Sequence, residues 1–364
     1  MKIQLGFIVE DPEPLPSLMA NIGDIPNKVG GKPIWLNPTN PTKQICSFCN
    51  FPLPLLLQIY APEDYPANAF HRIIYVFCCK NGLCHSKGFG LQVLRYQMEK
   101  ENDIYDLEGV LKNSIRIENN QLKSISIHKD IGFCEVCGMS ATSTCGNCHQ
   151  IRYCTKEHQT IHWKEHKPYC KSEDNPTKPS NLNILFPELE FVDEDEPDKK
   201  VKETMEMEYK VDDEDQQYLE EDETETDVDP EFLKFQKRIT LAPDQILRYG
   251  RVNTENDKNE PPLVVSSLTI PTIDPCSHCQ SPRTFEFQIT PQLLTYLKLD
   301  HTSEYSLDWG TLLVYTCSMH CDAANGQYAQ EVIINQAFSQ AGLGDSIRKT
   351  LADRENNNEQ SNSI

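Results

Sequence analysis

Cys134-Glu135-Val136-Cys137, Cys145-Gly146-Asn147-Cys148, Cys154-Thr155-Lys156-Glu157-His158 and His166-Lys167-Pro168-Tyr169-Cys170 place eight metal-ligand side chains inside thirty-seven residues. A Cys-x2-Cys turn aims two thiolates at one point, and Cys or His at i and i+4 on a helix does the same. Each pair is therefore half of a tetrahedral N/S site, and four pairs make two closed zinc sites. Consecutive pairs at this spacing set the stretch apart from scattered cysteines buried as small hydrophobes. Cys154, His158, His162, His166 and Cys170 recur every four residues. A continuous helix would drift by about 40° per step and carry Cys154 ~24 Å from Cys170, so one helix cannot bring both ends to one ion. Pro168 disfavours helix at Lys167, and the stripe is expected to break near His166 into two short pieces, each serving a different zinc. His162 is the surplus group, with a surface or packing role beside Trp163. His149 is expected next to the metal shell or in solvent rather than on the ion. Spacing alone permits interleaved or sequential pairing.

Outward from this finger, the chain repeats itself. Cys46-Ser47-Phe48-Cys49 is followed by Leu55, Leu57 and Gln58-Ile59, and Cys276-Ser277-His278-Cys279 by Phe285, Phe287 and Gln288-Ile289, with Cys-to-Gln spacing of twelve in both. Further on, Ile73 to Cys79 ends near Cys84, and Leu312 to Cys317 ends near Cys321. Each half reads as a Cys-x2-Cys turn, a strand, an apolar strand and a second cysteine pair, the pattern of a zinc ribbon. The candidate ligands are Cys46, Cys49, Cys79 and Cys84 in one half, and Cys276, Cys279, Cys317 and Cys321 in the other. Cys79 is preferred to Cys78 because Cys-x4-Cys is nearer knuckle spacing. Ile3 to Val9, Gly90 to Tyr96, Phe285 to Ile289 and Glu331 to Ile334 alternate or run apolar over strand lengths. Asp229-Pro230-Glu231 offers an N-cap and a first turn, leading into Phe232, Phe235 and Ile239 at helical spacing. Lys28 to Trp35 reads as a tight glycine turn before a strand; no helix follows the glycines to make a phosphate loop.

The net charge of −21 is concentrated. Between Glu188 and Asp229 stand 21 acidic residues against four lysines, and the rest of the chain is close to neutral. Such a segment cannot bury enough apolar surface to offset its ordering entropy and is expected to be a disordered linker, either a solvated spacer or a lure for a basic partner. Met205, Met207, Tyr209, Tyr218 and Leu219 are candidate anchor points within it. Met1 to Pro14 lacks a basic region followed by an apolar run, and no apolar stretch approaches a membrane span, so a soluble intracellular protein without membrane contact is expected. Fifteen cysteines in that setting favour metal thiolates over disulfides. The finger carries only +2, from Arg152, Lys156, Lys164, Lys167 and Lys171 against Glu135, Glu157 and Glu165, which argues against DNA binding.

The spacing of these ligands, with Tyr153 before Cys154 and Trp163 before the final pair, resembles a MYND-type zinc finger. That resemblance implies interleaved sites: Cys134, Cys137, Cys154 and His158 on one zinc, Cys145, Cys148, His166 and Cys170 on the other. His158 departs from the commoner cysteine at its place. Leu5-Gly6-Phe7, Asn27 to Leu36, Leu57 to Pro62, Phe70-His71-Arg72, Asp308-Trp309-Gly310 and Tyr315-Thr316-Cys317 resemble the programmed cell death protein 2 family. The resemblance implies a β-rich bilobal protein acting as a dedicated chaperone that captures one newly made, basic small-subunit ribosomal protein during ribosome biogenesis. A MYND adaptor for proline-rich peptides in a nuclear regulatory complex is the alternative. Closed sites leave no open metal position, and no methyltransferase motif accompanies the finger, so no enzyme is expected. The expectation is an α+β, mainly β monomer, cytoplasmic with a nuclear share left open, holding two zinc ions in the finger and up to four in all. Its divisions are an N-terminal lobe over 1–133, the finger over 134–170, an acidic disordered linker over 171–229, a C-terminal lobe over 230–344 and a disordered tail over 345–364.

Overall fold

The computed structural model describes residues 3–11, 15, 22–106, 108–112, 115–118, 121–124, 132–171, 183–197, 229–251, 261–267, 270–300, 302–303, 305–323 and 326–337. The expected tail over 345–364 and the anchor points Met205, Met207, Tyr209, Tyr218 and Leu219 lie outside them. The strands of the first half are β1 (Gln4–Ile8), β2 (Lys28–Val29), β3 (Leu55–Tyr60), β4 (His71–Cys78) and β5 (Leu91–Met98). A hairpin of β6 (Ile115–Glu118) and β7 (Gln121–Ser124) precedes the finger, whose short strands are β8 (Gly132–Phe133), β9 (Ser140–Ala141), β10 (Ser143–Thr144) and β11 (Arg152–Tyr153). The second half adds β12 (Leu189–Asp195), β13 (Leu247–Tyr249), β14 (Arg283–Ile289), β15 (Thr311–Cys317) and β16 (Ala329–Gln336).

Ten of these strands close into one antiparallel barrel in the order β1-β12-β2-β3-β4-β5-β16-β15-β14-β13. The two repeated halves are thus arcs of a single sheet. Each half exchanges its first strand: β1 pairs with β13 of the second half, and β12 with β2 of the first. The repeat read from the cysteines extends to fine geometry. β3 and β14 carry an irregularity at corresponding places, between Leu55 and Leu57 and between Phe285 and Phe287, where the extra residue turns the strand beside its cysteine knuckle. Gln58 and Gln288 are both buried and each accepts a backbone N–H, from Ile34 and Leu263 respectively.

Strand alternation sorts side chains between two cores. Leu57, Ile59, Ile74, Val76, Phe191, Phe287, Ile289, Leu312 and Val314 belong to a cluster shared by both halves. A second cluster, with Leu55, Ile73, Tyr75, Phe77 and Trp35, is continuous with the finger's Cys134, Met139 and Tyr153. The finger docks on the first half: Trp35 Nε1 donates to the Gly138 carbonyl at 2.8 Å and Ser140 N–H to the Thr42 carbonyl at 3.1 Å.

Two expectations need correcting. The stretch 171–229 is not wholly a linker, because Leu189–Asp195 is a barrel strand paired on both edges. Phe191 is 2% exposed, and Glu196 meets both Arg238 and Arg248, so one buried aromatic ring, two backbone ladders and paired charge outweigh the acidic composition. The glycine turn at Gly30-Gly31 follows a strand, Lys28–Val29, rather than preceding one. Both glycines have positive φ, and a side chain at Gly30 would meet the Pro187 carbonyl oxygen at 2.1 Å. The helix Pro230–Thr240 begins at its Asp229 N-cap, which accepts from Glu231 N–H. It buries Phe235 and Ile239 against Val265.

Candidate metal centres

All four Cys-x2-Cys turns share one backbone geometry. The residue after the second cysteine, Asn50, Gly138, His149 or Gln280, takes positive φ between 56° and 70°. Its N–H donates to the carbonyl of the first cysteine at 2.8–2.9 Å in every case. This curls the turn so that both thiols and several N–H groups point to one side. Gly, Asn and, less often, His tolerate that conformation, but Gln280 gives no sequence signal of it. His149 is exposed and belongs to none of the ligand groups, which matches the solvent-facing alternative.

Each turn meets a second pair from elsewhere. Four quartets form: Cys46, Cys49, Cys79 and Cys84; Cys134, Cys137, Cys154 and His158; Cys145, Cys148, His166 and Cys170; Cys276, Cys279, Cys317 and Cys321. Within each, the ligand atoms lie within 4.8 Å of one another. The finger is interleaved. Its eleven-residue helix, Lys156–His166, is capped by Thr155, whose side chain accepts from His158 N–H, and continues into a 3-10 turn over Lys167–Tyr169. The change of helix type falls where Pro168 was expected to force it. One helix nonetheless serves both quartets: His158 Nδ1 faces Cys134 and Cys154 at 3.5 and 3.3 Å, and His166 Nε2 faces Cys148 at 3.4 Å. His162 between them is buried, but its Nδ1 bonds the Tyr153 hydroxyl at 2.9 Å, and it is His166 that packs on Trp163. Cys78 is fully buried in the barrel core beside the first quartet.

The donor sets fit a tetrahedral ion. With Zn–S near 2.3 Å, two sulfurs on one zinc stand about 3.8 Å apart, whereas a disulfide brings them to about 2.05 Å. The S···S separations are 3.7 Å for Cys49–Cys79, 3.5 Å for Cys137–Cys154, 3.7 Å for Cys145–Cys170, 3.4 Å for Cys276–Cys321 and 3.5 Å for Cys279–Cys317. All fifteen cysteines are free of disulfides.

Charge follows the same logic. Burial raises Cys145, but N–H groups of Cys148 and Asn147 outweigh it and bring the thiol to about 6. The Ser281 hydroxyl, against burial, brings Cys279 to about 6 as well. Hydrogen bonds from Cys137 and Cys154 hold Cys134 far below the ordinary thiol range. The partners rise in response: Cys154, beside Cys134, is pushed to about 12, and burial takes Cys84 to about 12. Each knuckle readies one thiolate, and a divalent cation is what would ionise the others.

Comparison with known proteins places these features in one family. The N-terminal domain model of programmed cell death protein 2 matches residues 2–111, the MYND finger 134–170, and the C-terminal putative domain of programmed cell death protein 2 residues 229–337. Programmed cell death protein 2 of Bos taurus is 37% identical over 359 residues, covering 93% of this chain and 97% of its own. The Mus musculus protein of that name is 36% identical over 349 residues, covering 92% and 96%. A Schizosaccharomyces pombe protein named probable 20S rRNA accumulation protein 4 is 36% identical over 97 residues, 25% of this chain and 23% of its own. No solved structure matches. The chain thus matches the N- and C-terminal domain models as well as a MYND finger, which implies zinc, and it belongs to the programmed cell death protein 2 family.

Proposed function

We propose that the chain is an assembly chaperone that captures one newly made small-subunit ribosomal protein, works in the cytoplasm with a share in the nucleus, and has no catalytic activity of its own. The observation that carries this is the likeness to the fission yeast protein named for 20S rRNA accumulation. Charge supports it. Between β12 and the Asp229 cap, residues 198–228 hold fourteen acidic residues against four lysines, tethered to the barrel at both ends. An unassembled ribosomal protein carries Lys and Arg intended for RNA phosphates, and such a tether attracts it over a Debye length of about 8 Å. The quartets act as structural zinc sites, one ion each, four per chain: every position is filled by thiolate or imidazole, so the metals brace the scaffold and leave no place for substrate. Mass spectrometry of proteins retained by the tagged full-length chain at low and moderate salt tests the function. One small-subunit ribosomal protein should dominate at both, and a salt-labile mixture of basic proteins would overturn the reading.

A groove on the finger favours the adaptor as second reading. Cys145, Gly146, Asn147, Gln159, Thr160 and the exposed Trp163 line it, and an exposed indole is a surface on which a proline-rich peptide can pack. Trp163→Ala in the full chain should abolish partner capture if the adaptor reading holds and leave it intact if the barrel does the work.

A further inference from the structure

Strands of the two halves pair at four places in the barrel. Three of them adjoin the exchanged strands: β1 pairs β12 over five residues and β13 over three, and β12 pairs β2 over two. At the fourth, β5 and β16 pair over three, Val93–Arg95 against Ala329–Glu331. β5 runs on to Met98 in register with β4, so Tyr96, Gln97 and Met98 have a strand on one edge and, among the described residues, none on the other. Gly326, at φ 64°, turns the neighbouring chain aside, and its carbonyl accepts from Asn40 Nδ2 at 3.2 Å. What remains is a notch of about 260 Å³, whose lining includes Gln97, Met98, Glu99, Asp322 and Gln327.

The notch is electrostatically one-sided. Arg95 is the one cation among its lining residues; it is buried, and bonds Glu331 at 2.7 Å and the Cys321 carbonyl at 2.8 Å. Asp322 accepts from Asn68 Nδ2 and Gln97 Nε2, both at 2.9 Å, contacts that orient its carboxylate without neutralising it. Glu99 is exposed and forms no ion pair among the described residues. An unfinished strand edge flanked by two unmatched carboxylates has a defined complement. It is an extended segment whose main chain continues the ladder and whose Lys or Arg side chain reaches the carboxylates. An acidic segment would be repelled, and an apolar one would bury them without a counter-charge.

We infer that this notch receives an extended basic segment of a protein partner, pairing along Tyr96–Met98 with a cationic side chain between Glu99 and Asp322. The identification of that partner with a ribosomal protein rests on the function proposed above; the site does not. The test uses the full-length chain and the synthetic peptide Val-Lys-Val-Arg-Val-Lys, followed by hydrogen exchange and by titration at two ionic strengths. The amides of Gln97 and Glu99, on the edge turned away from β4, should gain protection, and the acidic analogue Val-Glu-Val-Asp-Val-Glu should give none. Glu99→Gln combined with Asp322→Asn removes both charges, while the single amide oxygen at 322 keeps one of the two hydrogen bonds from Asn68 and Gln97; it should weaken peptide binding tenfold or more at low salt and less at high salt. Its ion count by native mass spectrometry should be unchanged and its thermal midpoint should stay far above the assay temperature, and Glu157→Gln on the finger should bind as wild type. No protection at Gln97 and Glu99, or equal affinity in the double variant, overturns the site. Ribosomal-protein capture by the same variants separates the two readings. Loss of capture by the wild type with notch protection intact removes the chaperone and keeps the site, whereas full capture by the double variant removes the notch as the client's seat.

Discussion

Glu286 is fully buried, with both carboxylate oxygens bonded by Arg72 at 2.8 Å and further contacts from Arg251, Thr316 and the Tyr249 hydroxyl. Burial pushes its pKa up, but Arg251 and Arg72 outweigh that and hold it well below the usual carboxylate range. Glu286→Gln leaves two buried guanidinium groups short of a counter-charge, and urea unfolding should show a loss of about 3–5 kcal/mol near neutrality. A carboxylate with a depressed folded pKa contributes stability above its unfolded value of about 4.3, and that contribution is lost as pH falls from there toward the folded value. The gap between wild type and Glu286→Gln should therefore be level near neutrality and narrow below about pH 4.3. Nothing in the sequence marks Glu286, because its partners lie 214 and 35 residues away and meet it only when the barrel closes. Gly138 was more legible, standing just after Cys137. At φ 70°, a side chain there would meet Lys32 Cβ at 2.8 Å, so Gly138→Ala should cost about 1–2 kcal/mol. Limited proteolysis should then show faster cutting at the finger, since the Gly138 carbonyl is also the acceptor for Trp35.

The strands, the Asp229-capped helix and the cysteine turns were readable because each rests on local rules: period-two apolarity, an N-cap, and ligand spacing. β12 was not, because its acidic composition spoke for solvent and its partners β1 and β2 are more than 150 residues away in sequence. Metal loading tests the elements one by one. Native mass spectrometry should count four zinc ions per chain, and two would restrict metal to the finger. Cys148→Ala should remove one ion and unfold the finger locally, because a segment this small has too little core to stand without zinc, which supplies about 10–16 kcal/mol in isolated finger peptides. Cutting should stay confined to residues near 134–170 while the barrel resists. A chelator should free Cys279 for alkylation first, since it is the one exposed ligand of the four quartets.

At the scale of the molecule, strand exchange between halves makes the barrel one cooperative body, and it fixes both ends of the acidic segment to that body. Replacing the carboxylates of residues 198–228 by Gln and Asn at constant length should slow association of the captured client at low salt, with little change in dissociation. Association rates at two ionic strengths measure this; no change at low salt would reduce the segment to a spacer, whereas shortening it tests the tether alone. The sequence by itself determined the finger, its ligand pairs, the repeat with its two outer cysteine quartets and the concentration of charge, since each is written in residue type and spacing, whereas the interleaving of the finger's two quartets was implied by the family resemblance. Only the tertiary structure decided that the halves are arcs of one closed sheet, that an acidic stretch completes it, that Arg72 meets Glu286, and that the seam at β5 and β16 stays short. Those outcomes depend on which strand edges and which buried charges find each other across the chain, and no local pattern encodes a partner two hundred residues distant.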